Sequence, residues 1–568
     1  NLVALQAAVQ EPGPKFEDPG LRPGLPGGGP DAGFMVAPAL PACPPVFVPG
    51  ATPQRPAPTP TGSGPAPTPG GSQEGAPDAR SAYLPTLVED EWGDGHCSVM
   101  GLSAINMGAD AIKVVLMVWG EPGSCPPSSA GPSHVQCSGL LGPGGHWTLT
   151  GEWSTAKHPG FQSGMVFSFS ARRLSELGLA GVVGFDDVAA DFMCQILFFE
   201  VMRDGDDYRR FKAAFDQGSD FAGLPLRKLR GGPMAVTVQR SCAFGAPDKR
   251  TELRDSYAGI PGWSPPTGRD DSGAFQALLP GLPGGRVAQG DRSLTELSVQ
   301  NTGLDCASVD VWLAASAEAV PGSVGPPANA ACQSLRACRQ GLNMAPGESL
   351  RIPLGDCVGA GETVAVILRG SQPLAAVADI ADGQSLATVV GLPLAQRQWV
   401  LPLPAVPEGG RRILSLVNPD ATIPLRAAVV QRIPGAAAPQ ALTVWICPQG
   451  QLLVDLDDAR LGLMADQRGL LRVIAQEPDG QPSARVLWAG LAVVPTAGAA
   501  PALAMAPWGD DDRTLGAAVV ALPIGQRFVA DLAPSSARVY VANTVRQPGF
   551  TEAALYVYDA NGLTDMIC

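Results

Sequence analysis

The sequence predicts an all-β fold: tandem β-sandwiches behind a Pro/Gly-rich extended N-terminal arm, with a small helical insertion in the first sandwich. Three observations predict it. The 568 residues include 69 Gly and 57 Pro with 16% charged residues, a composition that favours many short strands joined by turns over long helices. With 45% apolar residues the chain can build several cores, so global disorder is excluded. Most telling, a Leu-Pro step followed about twenty residues later by an alternating strand that ends in Asn recurs along the chain.

Residues 1–80 form the arm or linker. Its later part, "ATPQRPAPTPTGSGPAPTPGGSQEG", carries prolines that fix φ and remove backbone donors, so it stays extended and does not enter a sheet interior. A flexible linker, an O-glycosylated stalk with Thr52, Thr59, Thr61 and Thr68 beside prolines, and an arm laid on a neighbouring subunit are all compatible with it.

The repeated signal then divides the chain into residues 81–272, 273–396 and 397–518, with a partial fourth copy at 519–568. Its Leu-Pro steps are Leu84-Pro85, Leu279-Pro280, Leu401-Pro402 and Leu522-Pro523, and its strands end at Asn106, Asn301, Asn418 and Asn543. Two and four residues before each Asn stand apolar side chains: Ala104 and Leu102, Val299 and Leu297, Leu416 and Leu414, Val541 and Val539. Period two puts each pair on one face of a strand. A second alternating strand follows, with Val114, Leu116 and Val118 in the first copy and Val309, Val311 and Leu313 in the second, giving a hairpin with one buried face. "PGGHWTL" (143–149) and "PGESLRI" (346–352) then read as Pro-Gly turns feeding a further strand.

The first copy is longer than the next two. Its excess, near 186–218, contains "DDYRRFKAAFDQG", in which Asp206 can cap a helix, Tyr208, Phe211 and Phe215 share one face, and Gly218 ends it. The fourth copy holds about three strands before Cys568, and a half-built sheet needs cover from the third unit, from a strand of another chain or from further sequence after Cys568.

The succession of a strand ending in "QNTG", an alternating strand, then "PGES" and another alternating strand, carried best by residues 297–313 and 342–352, resembles the immunoglobulin-like (CARDB-like) β-sandwich repeats of bacterial secreted and cell-surface proteins. The resemblance is clear in the second unit, fair in the first and weak in the third, where Pro419 follows the Asn and no Pro-Gly step follows. It implies seven-stranded sandwiches acting as spacers, adhesion modules or pieces of filaments and surface layers. No catalytic residue comes with it.

Charge and motif content exclude several classes. A net charge of -14 without a Lys/Arg-rich patch argues against nucleic acid, and no apolar run is long enough for a membrane-embedded helix. There is no G-x-S-x-G elbow and no phosphate loop, so the chain is expected not to be an enzyme. His96, His134, His146 and His158 crowd the first unit but lack the i, i+2 or i, i+4 spacing of metal ligands. No cofactor is expected, with calcium the one candidate: Asp204 and Asp206 in "RDGDDY" and Asp510 and Asp512 in "GDDDRT" are acidic loops able to supply oxygen ligands.

Twelve cysteines, an even number without a Cys-x-x-Cys pair, point to disulfides and an extracellular or cell-surface location. Local pairing is expected: Cys125 with Cys137, Cys332 with Cys338, Cys306 with Cys357 and Cys194 with Cys242, leaving Cys447 and Cys568 to pair with each other or with another subunit. The functional expectation is a secreted structural protein that self-assembles into an extracellular filament, sheath or surface layer through its arm and its partial terminal repeat. The alternative is an adhesive module that binds surface glycans or proteins with loops of the first sandwich.

Overall fold

The computed structural model describes most of residues 77–504 together with 555–559 and 562–567; within the long span the segments 121–124, 126–130, 151–159, 177–204, 245–250, 264–273, 320–331, 382–385, 392–396, 404–409, 434–438, 464–468 and 495–501, and some shorter ones, lie outside the described residues. Residues 1–76 of the arm therefore lie outside them, its last residues, 77–80, being the start of the first strand, as do residues 505–554, which include most of the fourth copy. The described part is built mostly of β-strands in several sheets.

The first unit holds β1 (Pro77–Trp92), β2 (Gly95–Asn106), β3 (Ile112–Trp119), β4 (His134–Leu141), β5 (His146–Thr150), β6 (Gly160–Ser170), the helices α1 (Ala171–Glu176) and α2 (Gly205–Gln217), the short pair β7 (Asp220–Phe221) and β8 (Leu224–Pro225), then β9 (Met234–Phe244), β10 (Thr251–Ala258) and β11 (Ile260–Trp263). The second holds β12 (Phe275–Pro283), the ribbon β13 (Val287–Ala288) and β14 (Asp291–Arg292), β15 (Leu294–Asn301), β16 (Ala307–Glu318), β17 (Arg336–Met344), β18 (Ser349–Pro353), β19 (Thr363–Gly370), β20 (Leu374–Ala381) and β21 (Leu386–Val390). The third holds β22 (Gln398–Leu403), β23 (Arg411–Val417), β24 (Leu425–Arg432), β25 (Gln440–Ile446), β26 (Gln451–Asp455), β27 (Gly469–Gln476), β28 (Trp488–Val494) and β29 (Ala502–Ala504). A last ribbon pairs β30 (Leu555–Asp559) with β31 (Gly562–Ile567).

One wiring diagram serves all three units. In the second, the strands pair in the orders β12-β19-β16-β17 and β18-β15-β20-β21; in the third, β22-β27-β24-β25 and β26-β23-β28-β29; in the first, β1-β6-β3-β4 and β5-β2-β9-β10. Each unit thus pairs its first, sixth, third and fourth strands in one sheet and its fifth, second, seventh and eighth in the other. In the first unit the long β1 also pairs with the start of β2, which merges both sheets into one nine-stranded sheet. Side chains from both sheets share a core: Leu279, Val309, Val311, Leu313 and Val366 meet Leu297, Val299, Ala376 and Ile380 in the second unit.

The period-two pattern holds, with Leu102, Ala104, Val114, Leu116, Leu297, Val299, Val309, Val311, Leu414 and Leu416 fully buried. One expectation is corrected. β3 is buried along its whole length, not on one face, because α2 lies on its second face and on β6. Tyr208, Phe211 and Phe215 of α2 are buried as their spacing predicts, and they stack edge-on against Trp119, Phe167 and Phe169.

The three Asn residues that end the second strands are buried plugs. Asn106 donates through Nδ2 to the carbonyls of Asp110, Leu141 and Gly142 at 2.8–3.0 Å, and its Oδ1 accepts from the Gly108 N–H at 2.9 Å. Asn301 donates to Asp305 and Met344 and accepts from Gly303; Asn418 donates to Ile423 and Ile446 and accepts from Asp420. Each plug closes its own Asx turn and ties it to the end of the fourth strand, satisfying carbonyls that the sheets leave unpaired.

Candidate functional site

Successive units pack against one another. They meet through broad, buried junctions, and these are the most elaborate polar constellations among the described residues. At the first junction, Arg240 on β9 makes a bidentate ion pair with Asp379 on β20 at 2.7 and 2.8 Å, while Thr388 on β21 donates to the same carboxylate at 3.0 Å. Both charged side chains are buried, and the guanidinium also stands over the Tyr257 ring. Beside it, Gln300 donates to the carbonyls of Gly164 and Gly347, and Ser163 to that of Gly347 at 2.8 Å. Ala375 and Val377 of the second unit belong to the core of the first. Arg209 of α2 donates to the Leu304 carbonyl and pairs with Asp305.

Gly347 has to be glycine on two counts. Its φ is +85°, and a Cβ there would lie 2.4 Å from Trp119 Cε2 of the preceding unit. The same turn position is Gly144 in the first unit at +70° and Gln449 in the third at +50°. The third copy therefore keeps the turn without the Pro-Gly signal, with a non-glycine residue held in the left-handed region.

The second junction repeats the plan. The end of β16 pairs in parallel with β26, Ser316 to Gln451 through Glu318 to Leu453, and joins one sheet from each unit into a continuous eight-stranded sheet. Leu278, Ala314, Ala365 and Ile367, on the face of the second unit's sheet that points away from its own core, enter the core of the third. Gly281, at a bulge of β12 and at φ +69°, approaches so closely that a Cβ would lie 2.6 Å from Ser415 Oγ. In both junctions the first strand of one unit lies against the second and seventh strands of the next.

Ser415 stands three residues before Asn418, as Ser298 does before Asn301 and Ser103 before Asn106; all three serines are buried. At Ser415 the second junction gives a reason for the small side chain, because Gly281 of the preceding unit packs closely against it.

Disulfides staple both junctions. Cys125 bonds Cys306 across the first and Cys332 bonds Cys447 across the second, with sequence separations of 181 and 115 residues; Cys338–Cys357 closes 19 residues inside the second unit. Each crossing bond runs from the segment between third and fourth strands of one unit to the Asn-plug end of the next: Asn301 bonds the carbonyl just before Cys306, and Asn418 the one just before Cys447. The expected local pairs Cys125–Cys137, Cys332–Cys338 and Cys306–Cys357 are therefore wrong. Proximity in sequence misled because the units stack so that loops of neighbours meet. Cys137 is also disulfide-bonded. The side chains of Cys194 and Cys242 lie outside the described residues, though the register sets Cys242 opposite Cys97.

No cation site assembles among the described residues, where no group of three or more His, Cys, Asp or Glu side chains is placed to hold a metal. Asp204, Asp510 and Asp512 lie outside them. Asp206 sits exposed in the first turn of α2, paired with Arg209 at 3.0 Å. His134 opens β4 and His146 opens β5; His158 and the side chain of His96 lie outside the described residues. In "DLDDAR", Asp457 is taken by the buried Arg412 and Asp458 by Arg460, so arginines neutralise this acidic run.

One further buried charge occurs on α2. Lys212 pairs with Asp216 at 2.5 Å and lies over the Tyr83 ring. Burial works against its charge, but Tyr83 and Asp216 more than restore it and hold its pKa above the ordinary lysine value. Burial pushes the Tyr208 phenol well up, so it stays neutral and donates to Met165 Sδ at 2.7 Å. This cluster anchors the helix to the sheet.

No described helix is long and apolar enough to cross a membrane. No family model, curated protein or solved structure matches the chain.

Proposed function

We propose that the chain is a secreted structural protein, a stapled stack of β-sandwich units that assembles into an extracellular filament, sheath or surface layer and bears load along it. The single observation that carries this reading is the repetition of one junction plan twice in succession, each time with a disulfide across it. Disulfides of this kind fit an oxidising, extracellular environment. A head-to-tail contact of one unit on the next is heterologous and need not close, which is the geometry from which filaments grow.

The finer fold reading belongs with this proposal. In this reading each unit is a variant of the immunoglobulin-like sandwich in which, relative to the usual ABED/CFG partition, the first and fourth strands join the sheet of the third and sixth, the seventh joins the sheet of the second and fifth, and an eighth strand extends the latter. The exchange brings the first strand to the face that meets the following unit.

Electron microscopy of the purified full chain across a concentration series tests the function. Long, regular polymers are expected. Monodisperse particles at every concentration overturn it.

A further inference from the structure

We propose that the first junction binds a structural water molecule between the Trp119 indole N–H, the Gln300 side-chain carbonyl and the Ser349 hydroxyl. The site belongs to the contact between the first and second units of one chain, whether or not chains polymerise.

All three atoms are buried, and among the described residues none has a hydrogen-bond partner within the protein. They gather around one turn. Gln300 on β15 and Ser349 on β18 are direct register partners, so their side chains leave the same face of the sheet. That face meets the first unit, because Gln300 donates to the Gly164 carbonyl. Trp119 arrives from the opposite side: a Cβ on Gly347, two residues before Ser349, would lie 2.4 Å from Trp119 Cε2, the ring carbon bonded to the N–H. The Gly347 carbonyl accepts from Gln300 Nε2 at 2.9 Å and from Ser163 at 2.8 Å, and Ser163 is the register partner of Trp119 on β6.

The chemistry of the trio selects the ligand. Gln300 Nε2 donates to two carbonyls, at 3.1 and 2.9 Å, so turning the amide over would set oxygen against oxygen twice. Gln300 Oε1 is thereby fixed as an acceptor. The site offers one obligate donor in the indole N–H, one obligate acceptor in the amide oxygen, and a hydroxyl that serves as either. A small neutral molecule that both donates and accepts fits this set. A cation would face the indole N–H and an anion the amide oxygen. Buried polar groups left unpaired are costly, and a buried water typically makes about three hydrogen bonds.

The second junction supplies the contrast. Register sets Ala314, Ala365 and Val417 where the first junction has Trp119, Ser163 and Gln300, and all three are buried. Gln451, in the place of Ser349, accepts directly from the Gly281 N–H at 3.3 Å. Three equivalent positions carry hydrogen-bonding side chains together in one junction and apolar ones together in the other. The first junction is therefore built as a polar seat.

Crystallography of the full chain, as wild type and as Gln300→Val, tests the site. In the wild type one water peak is expected within hydrogen-bond distance, about 2.7–3.2 Å, of Trp119 Nε1, Gln300 Oε1 and Ser349 Oγ. In Gln300→Val, which copies the second junction, that peak is expected to be lost. No peak in the wild type, or the three atoms bonded directly to protein groups, overturns the proposal, as does a peak that persists in Gln300→Val. The wild-type map alone decides if the variant fails to fold.

Discussion

At the scale of single residues, the Asn plugs hold the units closed. Asn301→Ala removes the donors of two carbonyls in a buried turn, and such orphaned groups cost roughly 1–3 kcal/mol each; denaturant unfolding is expected to show a loss of about 2–4 kcal/mol. The turn that follows gives opposite signs at equivalent positions. Gly347→Ala strains a backbone at φ +85° and drives a Cβ into Trp119, so it destabilises the first junction. Gln449→Gly relieves a non-glycine residue at φ +50° and raises stability by about 0.5–1 kcal/mol. Beside the third plug, burial raises the Asp420 pKa, but the N–H groups of Thr422 and Ile423 at 2.8 and 2.9 Å outweigh it and leave the carboxyl below its usual range. A depressed folded value means that its stabilisation is present above the unfolded pKa of about 3.9 and is lost as pH falls through the folded one. Asp420→Asn is expected to flatten the acid limb of a stability-pH curve below about pH 4, by a small amount because the group is mostly solvated.

At the scale of elements, the strands were legible and their partners across junctions were not. Period two at Leu297 and Val299 fixes which face is inward, and the aromatic spacing of Tyr208, Phe211 and Phe215 fixes the helix. What an outward face touches depends on how the units stack, and local pattern carries no trace of that for Gln300, Ser163 or Asp379. The same limit explains the mispaired cysteines: Cys332 and Cys338 are close in sequence, yet their strand and loop address different neighbours. The Arg240–Asp379 pair is the sharpest probe of the first junction. Asp379→Ala strands a buried guanidinium and is expected to cost about 3–5 kcal/mol, while replacing Arg240 and Asp379 together by apolar residues costs much less, a contrast that thermal unfolding resolves.

At the scale of the whole molecule, the three units are joined through their cores and junctions. Their cores share residues, one sheet runs through the second junction, and each junction has a covalent staple. A bond that closes a loop of more than a hundred residues restrains the unfolded chain strongly, with a contribution of about 4–5 kcal/mol in the loop-entropy description. The double variant Cys332→Ser, Cys447→Ser is therefore expected to separate unfolding of the third unit from that of the first two in calorimetry. Mass mapping of non-reduced peptides tests the stapled stack most directly. Peptides joining Cys125 to Cys306 and Cys332 to Cys447 are the predicted result; Cys125 joined to Cys137, or Cys332 to Cys338, would contradict it.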